Sequence, residues 1–276
     1  MKHPTFLLVL IIAPFCLFGC DKQQVAVTPA PPPKTTLTVF AAASLGESFT
    51  DIGKQFESAN PGVTVQFNFA GSQQLRAQLE NGAQADLFAS ANETEMNAAK
   101  AESLVKSDSI HDFARNRLIV IYPKNNPAKI AALSDLANPG VKIDVADVSV
   151  PVGKYTRQML DQMARDPAFG PEFEKKFLAN IVSQEENVKS VLSKIRLGEA
   201  DAGVVYVTDV TPDAAKDVAS LDLPDQFNQI ASYPIAVITK SSQPDLAAKF
   251  ENYVLSSDGQ EILRGYNFIP ALSNGH

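Results

Sequence analysis

Hydrophobic and polar residues follow two different periods from residue 37 onward. A period of two, or a short continuous apolar run, is typical of β-strands. Such runs occur at 37–43, 63–69, 86–90, 117–122, 142–146, 202–207 and 231–238. A spacing of three and four is typical of helices, which we predict to start near residues 45, 72 and 92 and to cover 130–136, 155–164, 173–178, 188–197, 246–255 and 259–263. Because strands and helices alternate, the chain is predicted to be an α/β protein with mostly parallel sheets and helices on both faces.

The first strand and the first helix meet at a turn that has features of an anion site. Leu37 to Ala43 predicts a buried strand, and Ser44 is a residue type that caps helices, with Glu47 at the spacing of a capping box. A helix start has free N–H donors and partial positive charge, so it can hold an anion. An ordinary capped helix explains the same residues, and the segment alone leaves this alternative open.

The first 36 residues predict an export signal and a spacer rather than part of the fold. Residues 1–19 combine a basic start with an apolar run that is short for a membrane span. Their end, Leu17-Phe18-Gly19-Cys20, resembles a bacterial lipobox, which implies cleavage before Cys20 and acylation of that cysteine. Residues 20–36 are rich in proline and predict a semi-rigid tether. We therefore expect a cell-envelope protein on the periplasmic side of a membrane, anchored there by lipid on Cys20.

Length and composition favour one folded body with two lobes. The chain has 276 residues, of which 45 % are hydrophobic and 20 % charged, as is typical of globular proteins. We predict that lobe 1 comprises 37–113 and 236–276 and that lobe 2 comprises 114–235, with crossover strands near Leu118 and Ile235. The ligand is then expected in the cleft between the lobes. A net charge of −7 argues against a nucleic-acid partner.

Residues that would support metal binding or catalysis are sparse in the body. The histidines, His3, His111 and His276, have no ligand spacing, and both cysteines lie near the N-terminus, so neither a metal site nor a disulfide is predicted there. Ser44 and Ser72 lack a Gly-x-Ser-x-Gly context, and no phosphate-binding glycine loop occurs. We therefore predict a protein that is not an enzyme and that has no cofactor.

The body offers instead a set of neutral hydrogen-bond donors at turns into helices and at one strand end. Backbone N–H groups are available near Val152 and Val188, hydroxyls at Ser44 and Ser72, and a phenol at Tyr206. Donors without acceptors suit a fully deprotonated tetrahedral dianion, whereas phosphate near neutral pH keeps a proton and needs an acceptor. A tyrosine packed in the core is the alternative interpretation of Tyr206.

Short motifs surround these same places, in an order and spacing that together are specific. They are Val39-Phe40-Ala41-Ala42-Ala43-Ser44-Leu45, Phe69-Ala70-Gly71-Ser72, Val150-Pro151-Val152-Gly153-Lys154-Tyr155, Glu186-Asn187-Val188 and Ala202-Gly203-Val204-Val205-Tyr206, accompanied by the stretch 82–91. Through these motifs, residues 37–270 resemble the periplasmic molybdate-binding proteins of ABC importers. Two positions depart from the family pattern, since Val152 stands where many relatives carry alanine and Asn187 where aspartate is common. A backbone donor and a helix cap both tolerate these changes.

The resemblance implies a fold, a ligand and a role for each residue. The fold would be the type II two-lobe fold of periplasmic binding proteins, and the ligand would be molybdate, with tungstate as a second. The implied donors are the hydroxyls and amides of Ser44 and Ser72, the amides of Val152 and Val188, and the hydroxyl of Tyr206. The partner would be the membrane permease of an ABC importer, and the protein is expected to be a monomer.

Three alternatives stay open on the sequence. Another tetrahedral oxyanion, such as sulfate, passes the same donor-only test and differs in size. A secreted serine hydrolase would use Ser44 or Ser72 as a nucleophile and would need a general base beside it. A structural protein of the envelope would bind no ligand at all.

Overall fold

The computed structural model describes residues 35–271. Its strands are β1 Thr35–Ala42, β2 Val63–Ala70, β3 Leu87–Ala89, β4 His111–Pro123, β5 Ile143–Ala146, β6 Ile181–Glu185, β7 Ala202–Tyr206, β8 Val218–Asp222, β9 Ile230–Val237 and β10 Ile269–Pro270. Its α-helices are α1 Gly46–Ala59, α2 Ser72–Glu80, α3 Glu93–Ala101, α4 Pro151–Arg165, α5 Pro171–Ala179, α6 Val188–Leu197, α7 Pro244–Leu255 and α8 Ser257–Gly265. None of the helices in this range is long and apolar enough to span a membrane.

The predicted signal at 1–19, the lipidation at Cys20 and all but the end of the tether lie outside the described residues. The end of the tether was predicted two residues too late, because β1 begins at Thr35. The N–H of Thr35 donates to the carbonyl of Gly62 at 2.8 Å, and Thr35 and Thr36 pair with Val63 and Thr64. The fold therefore starts at Thr35.

Two groups of strands share one long strand, β4. The first sheet has the order β2-β1-β3-β9-β4, and the second has the order β4-β7-β5-β6. Residues 111–117 of β4 pair with β9, whereas residues 118–123 pair with β7 and β8. Each sheet thus has its own parallel core, β2-β1-β3 or β6-β5-β7, and every antiparallel pair among the described strands involves β4 or β9. The predicted parallel sheets are found in each half, and β4 connects them.

The chain leaves the first sheet along β4 and returns to it in β9. The change from one sheet to the other falls between Arg117 and Leu118, close to the predicted crossover at Leu118. All of β9 pairs in the first sheet, from Ile230 onward. The bounds of the two lobes, 37–113 with 236–276 and 114–235, stay a prediction.

The helical period of the sequence explains how α1 packs. Phe49, Ile52 and Phe56 form one face of α1, are fully or almost fully buried, and contact the first sheet together with Phe113 and Phe250. Burying a large apolar side chain contributes about 1.5–3 kcal/mol, so this face fixes α1 against the sheet. The predicted face is confirmed.

Three strands, β6, β8 and β10, were not predicted, and several elements, α4 among them, are longer than predicted. In β6, Val182 and Gln184 are exposed, and the strand ends in three polar residues, Ser183, Gln184 and Glu185. It therefore lacks the apolar run that marks a buried strand. The helix α4 begins at Pro151 rather than Tyr155, because proline is well suited to the first helical position. These differences bring the start of α4 into the region of the predicted donors.

Candidate functional site

The five residues predicted to bind the ligand line one small cavity. The cavity holds about 210 Å³ of atom-free space. Its walls are Ala42, Ala43, Ser44, Ala70, Gly71, Ser72, Ala91, Val150, Pro151, Val152, Asn187, Val188 and Tyr206. This space includes the mouth of the cavity, and the part of it that a water-sized molecule can occupy is far smaller than a pocket for a drug-sized ligand, so the cavity suits only a very small ligand.

The donors reach the cavity from both sheets, at the ends of strands and the starts of helices. Ser44 lies in a single 3₁₀ turn, Ala43–Leu45, that directly follows β1. Ser72 is the first residue of α2, Val188 is the first residue of α6, and Val152 lies in the first turn of α4. Tyr206 is the last residue of β7. All five are at most 4 % exposed, so the cavity is closed to solvent on every side that they form.

Ser72 is held as a donor by the backbone of a neighbouring loop. Its Oγ accepts a hydrogen bond from the N–H of Ala91 at 3.0 Å. Because a hydroxyl has one proton and this bond occupies an oxygen lone pair, the proton of Ser72 is free to point into the cavity.

Ser44 has a different local role from the one predicted. The helix α1 begins at Gly46, its N-cap is Leu45, and no side chain caps it, so the capping box of Ser44 and Glu47 is wrong. The 3₁₀ turn places Ser44 one turn ahead of the helix, where its Oγ lies 2.9 Å from the phenolic oxygen of Tyr233. Glu47 contacts Lys189 instead.

The hydroxyl of Tyr206 is buried, and no group among residues 35–271 makes a hydrogen bond to it. The ring packs in the core, with an edge-on contact to the ring of Tyr233 at a centroid distance of 5.9 Å. Burial, and next the neighbouring Tyr233, raise the pKa of Tyr206 well above its ordinary value, so the phenol stays neutral. The ring of Tyr206 is therefore packed in the core, as the alternative interpretation predicted, while its hydroxyl remains available as a donor.

The starts of α4 and α6 supply backbone donors. The first N–H groups of a helix have no acceptor within it and carry partial positive charge. Asn187 caps α6 as predicted, and its side chain accepts from the N–H of Ser190 at 3.0 Å. This leaves the N–H of Val188 outside the cap, at the cavity wall. Val152 occupies the equivalent region of α4, after Pro151.

No residue among those that line the cavity carries a charge, but one buried carboxylate lies behind it. Asp209 is fully buried, and its Oδ2 accepts from the N–H of Tyr206 at 3.0 Å. The ammonium of Lys189 lies 3.0 Å from Asp209 and 2.9 Å from Glu47. Burial alone would lower the pKa of Lys189, but the carboxylates of Asp209 and Glu47 raise it, so the lysine stays charged. This group could not be predicted from the sequence, since Glu47, Lys189 and Asp209 are not all close in the chain.

The described part of the chain contains no cluster of three metal-binding side chains. The hydrogen-bond partners of Ser44 and Ser72 are a tyrosine and a backbone amide, neither of which is a general base at neutral pH. The geometry thus favours binding of a small anion by dipoles over nucleophilic chemistry.

Comparisons with known proteins show the family and the fold of the chain. Residues 37–269 match the family model described as bacterial extracellular solute-binding protein. The molybdate-binding protein ModA of Mycobacterium tuberculosis is 39 % identical over 90 % of both chains.

Two solved structures share the fold. The periplasmic molybdate-binding protein of Azotobacter vinelandii has a TM-score of 0.75 and 20 % identity, over 85 % of this chain and 99 % of its own. The sulfate-binding protein SubI of Mycobacterium tuberculosis has a TM-score of 0.74 and 18 % identity, over 87 % and 88 %. The predicted type II two-lobe fold is confirmed.

Proposed function

The chain belongs to the bacterial extracellular solute-binding proteins, and from this premise we propose that it captures molybdate, and tungstate as well, for an ABC importer. One observation carries the proposal: the five neutral donors meet in one small, buried cavity whose lining residues carry no charge. The relative named as a molybdate-binding protein, at 39 % identity over 90 % of both chains, supports the same ligand.

Each residue has a proposed role at the anion. Ser44 and Ser72 donate through their hydroxyls and amides, Val152 and Val188 through their amides, and Tyr206 through its hydroxyl. A hydrogen bond to a charged group contributes about 1.5–3 kcal/mol, so a few of them suffice for tight binding. The net charge of −7 repels an anion at long range, so affinity rests on these local dipoles.

The remainder of the proposal concerns where the protein works. The signal at 1–19 and Cys20 would place it at the cell envelope, on the periplasmic side, with lipid on Cys20 as the anchor. The tether from residue 20 to the start of β1 at Thr35 would hold the body away from the membrane. The protein would act as a monomer, without a catalytic step, and would deliver its ligand to the membrane permease of the importer.

Isothermal titration calorimetry of the purified protein with molybdate, tungstate, sulfate and phosphate tests the proposal. We expect binding of molybdate and tungstate, and a ligand at ten times its Kd should add about 1.4 kcal/mol to the free energy of unfolding. Equal affinity for sulfate would instead favour the general oxyanion binder. No binding of any oxyanion would favour the structural envelope protein, and ester hydrolysis that is lost in Ser44→Ala would favour the hydrolase.

A further inference from the structure

A chain of buried hydrogen bonds lies behind Ser44, on the side away from the cavity. The side-chain amide nitrogen of Asn116, on β4, lies 3.2 Å from the phenolic oxygen of Tyr233, on β9. That oxygen lies 2.9 Å from the Oγ of Ser44. Asn116 and Tyr233 are at most 1 % exposed, and neither lines the cavity, so both act on a ligand through the lining residues behind which they lie, Ser44 among them.

The orientation of the Asn116 amide is fixed by its other contacts. Its Oδ1 accepts from the N–H of Arg117 at 2.9 Å, which identifies the opposite atom as Nδ2. That Nδ2 also donates to the hydroxyl of Thr208 at 2.7 Å. The amide group therefore donates one of its two protons to Thr208 and the other to Tyr233.

The direction of the remaining bonds follows from this orientation. An amide NH₂ only donates, so the oxygen of Tyr233 is an acceptor toward Asn116, and its single proton goes to Ser44. Burial raises the pKa of Tyr233 well above its ordinary value, so the phenol keeps that proton. Since the Oγ of Ser44 receives it, the proton of Ser44 is not used by Tyr233 and is available to a ligand in the cavity that Ser44 lines.

We propose that Asn116 and Tyr233 are positioning residues that hold the Ser44 hydroxyl as a donor and thereby make the cavity select against anions that carry a proton. The inference rests on the proposed oxyanion-binding function and deepens it. Monoprotonated phosphate needs one acceptor in its site, and a reversed Ser44 hydroxyl would provide it. The relay prevents this reversal, in the same way as the N–H of Ala91 fixes Ser72.

A pair of matched substitutions tests the relay. Tyr233→Phe removes the proton that Ser44 receives, whereas Tyr206→Phe removes a direct donor and leaves the relay in place. Calorimetry with molybdate and with inorganic phosphate, at mildly alkaline pH where phosphate is chiefly the monoprotonated dianion, gives the affinity ratio of each protein. In Tyr233→Phe we expect the molybdate-to-phosphate ratio to fall about tenfold, because Ser44 can then accept. In Tyr206→Phe both affinities should fall by a similar factor.

Asn116→Asp provides a second, independent test if Tyr233→Phe unfolds. The new carboxylate cannot donate, so Tyr233 donates to it and accepts the proton of Ser44, which turns a lone pair of Ser44 toward the cavity. The added negative charge weakens the binding of both anions. The ratio of the two affinities therefore again reports the reversal of the Ser44 hydroxyl. An unchanged ratio in folded Tyr233→Phe or Asn116→Asp overturns the relay. Absence of molybdate binding in the unsubstituted protein overturns the proposed function instead.

Discussion

The carboxylate of Glu47 and the ammonium of Lys189 lie 2.9 Å apart and join α1, which packs on the first sheet, to α6, which packs on the second. The same ammonium lies 3.0 Å from the buried Asp209. Lys189 is a quarter exposed and Glu47 nearly half exposed, so their bond is partly screened by water, whereas Asp209 has no contact with solvent. The two ion pairs of Lys189 therefore differ in importance.

We expect Lys189→Met to be much more damaging than Glu47→Gln. Burial raises the pKa of Asp209 and Lys189 opposes this, so removing the lysine leaves a buried carboxylate without its cation, at a cost of about 3–5 kcal/mol. The exposed pair with Glu47 contributes about 1 kcal/mol or less. Urea denaturation of both variants measures the difference. The double variant Lys189→Met, Asp209→Asn should regain most of the lost stability, and equal effects of the two single changes would contradict the prediction.

Removal of one hydroxyl from the cavity should weaken molybdate binding about ten- to a hundredfold, in Ser44→Ala, Ser72→Ala and Tyr206→Phe alike. The ligand-free proteins should differ, however. Tyr206→Phe breaks no hydrogen bond among the described residues, whereas Ser72→Ala leaves the buried N–H of Ala91 without its acceptor, at about 1–3 kcal/mol. Calorimetry and thermal unfolding of each variant check the two effects separately.

Substitutions at the two proposed backbone donors should weaken molybdate binding only when they remove the N–H group. Val152→Ala and Val188→Ala keep the N–H group, so we expect affinity for molybdate to change by less than about threefold. Val188→Pro removes the donor but retains the helix, because proline is tolerated at the first helical position, and affinity should fall at least about tenfold. Normal binding by a well-folded Val188→Pro protein would exclude this amide as a donor.

Gly71 lines the cavity and lies close to the backbone of Glu186 in the other half of the protein. A Cβ added there would lie 2.4 Å from the carbonyl oxygen of Glu186, which precedes α6. Gly71→Ala should therefore hold the halves apart and weaken ligand affinity at least about tenfold, with little change in ligand-free stability. Gly46→Ala is the matched control, since a Cβ at this other helix start meets nothing within 4 Å. Similar affinities of the two variants would contradict the prediction.

The raised pKa of Asp144 makes the free energy of unfolding depend on pH. Asp144 is fully buried, neither of its oxygens has a hydrogen-bond partner among residues 35–271, and burial followed by the charge of Glu185 raises its pKa to about 7. The folded state keeps this proton up to about pH 7, while the unfolded state loses it near the ordinary aspartate pKa of 3.8, so stability is lost as pH rises through this window.

Asp144→Asn should remove that loss and leave the protein more stable than the unsubstituted chain at about pH 8, with little difference at about pH 4. Urea denaturation at both pH values measures it. Asp161→Asn is a suitable control, because Asp161 is exposed on α4. Parallel stability curves for Asp144→Asn and the unsubstituted protein would refute the assignment.

The sequence predicted the parts of the molecule that depend on local patterns. The caps Asn92 and Asn187, the glycine at Gly198 and the apolar face of α1 are all found where the spacing placed them. The donors Ser44 and Ser72 could be placed together because strands that are parallel end at the same edge of a sheet.

What the sequence did not predict depends on contacts between distant residues. Tyr233 lies 189 positions from Ser44, and in the sequence it is one more aromatic residue of an apolar strand. In the sequence, Lys189 and Glu47 have the pattern of exposed charged residues on two separate helices. They come together only in the folded chain. The misplaced cap at Ser44 has a local cause, since a 3₁₀ turn before α1 has no signature that separates it from the helix itself.

The closed cavity has a consequence for the time that an ion stays bound. Its walls come from both sheets, and its donors are at most 4 % exposed, so an ion cannot leave until the two halves separate. Separation requires β4 to bend or twist, because this strand pairs in both sheets. Motions of this kind take on the order of microseconds to milliseconds. The residence time of the ion is thus governed by how often the protein opens, and the bending of β4 limits how fast any ion is released.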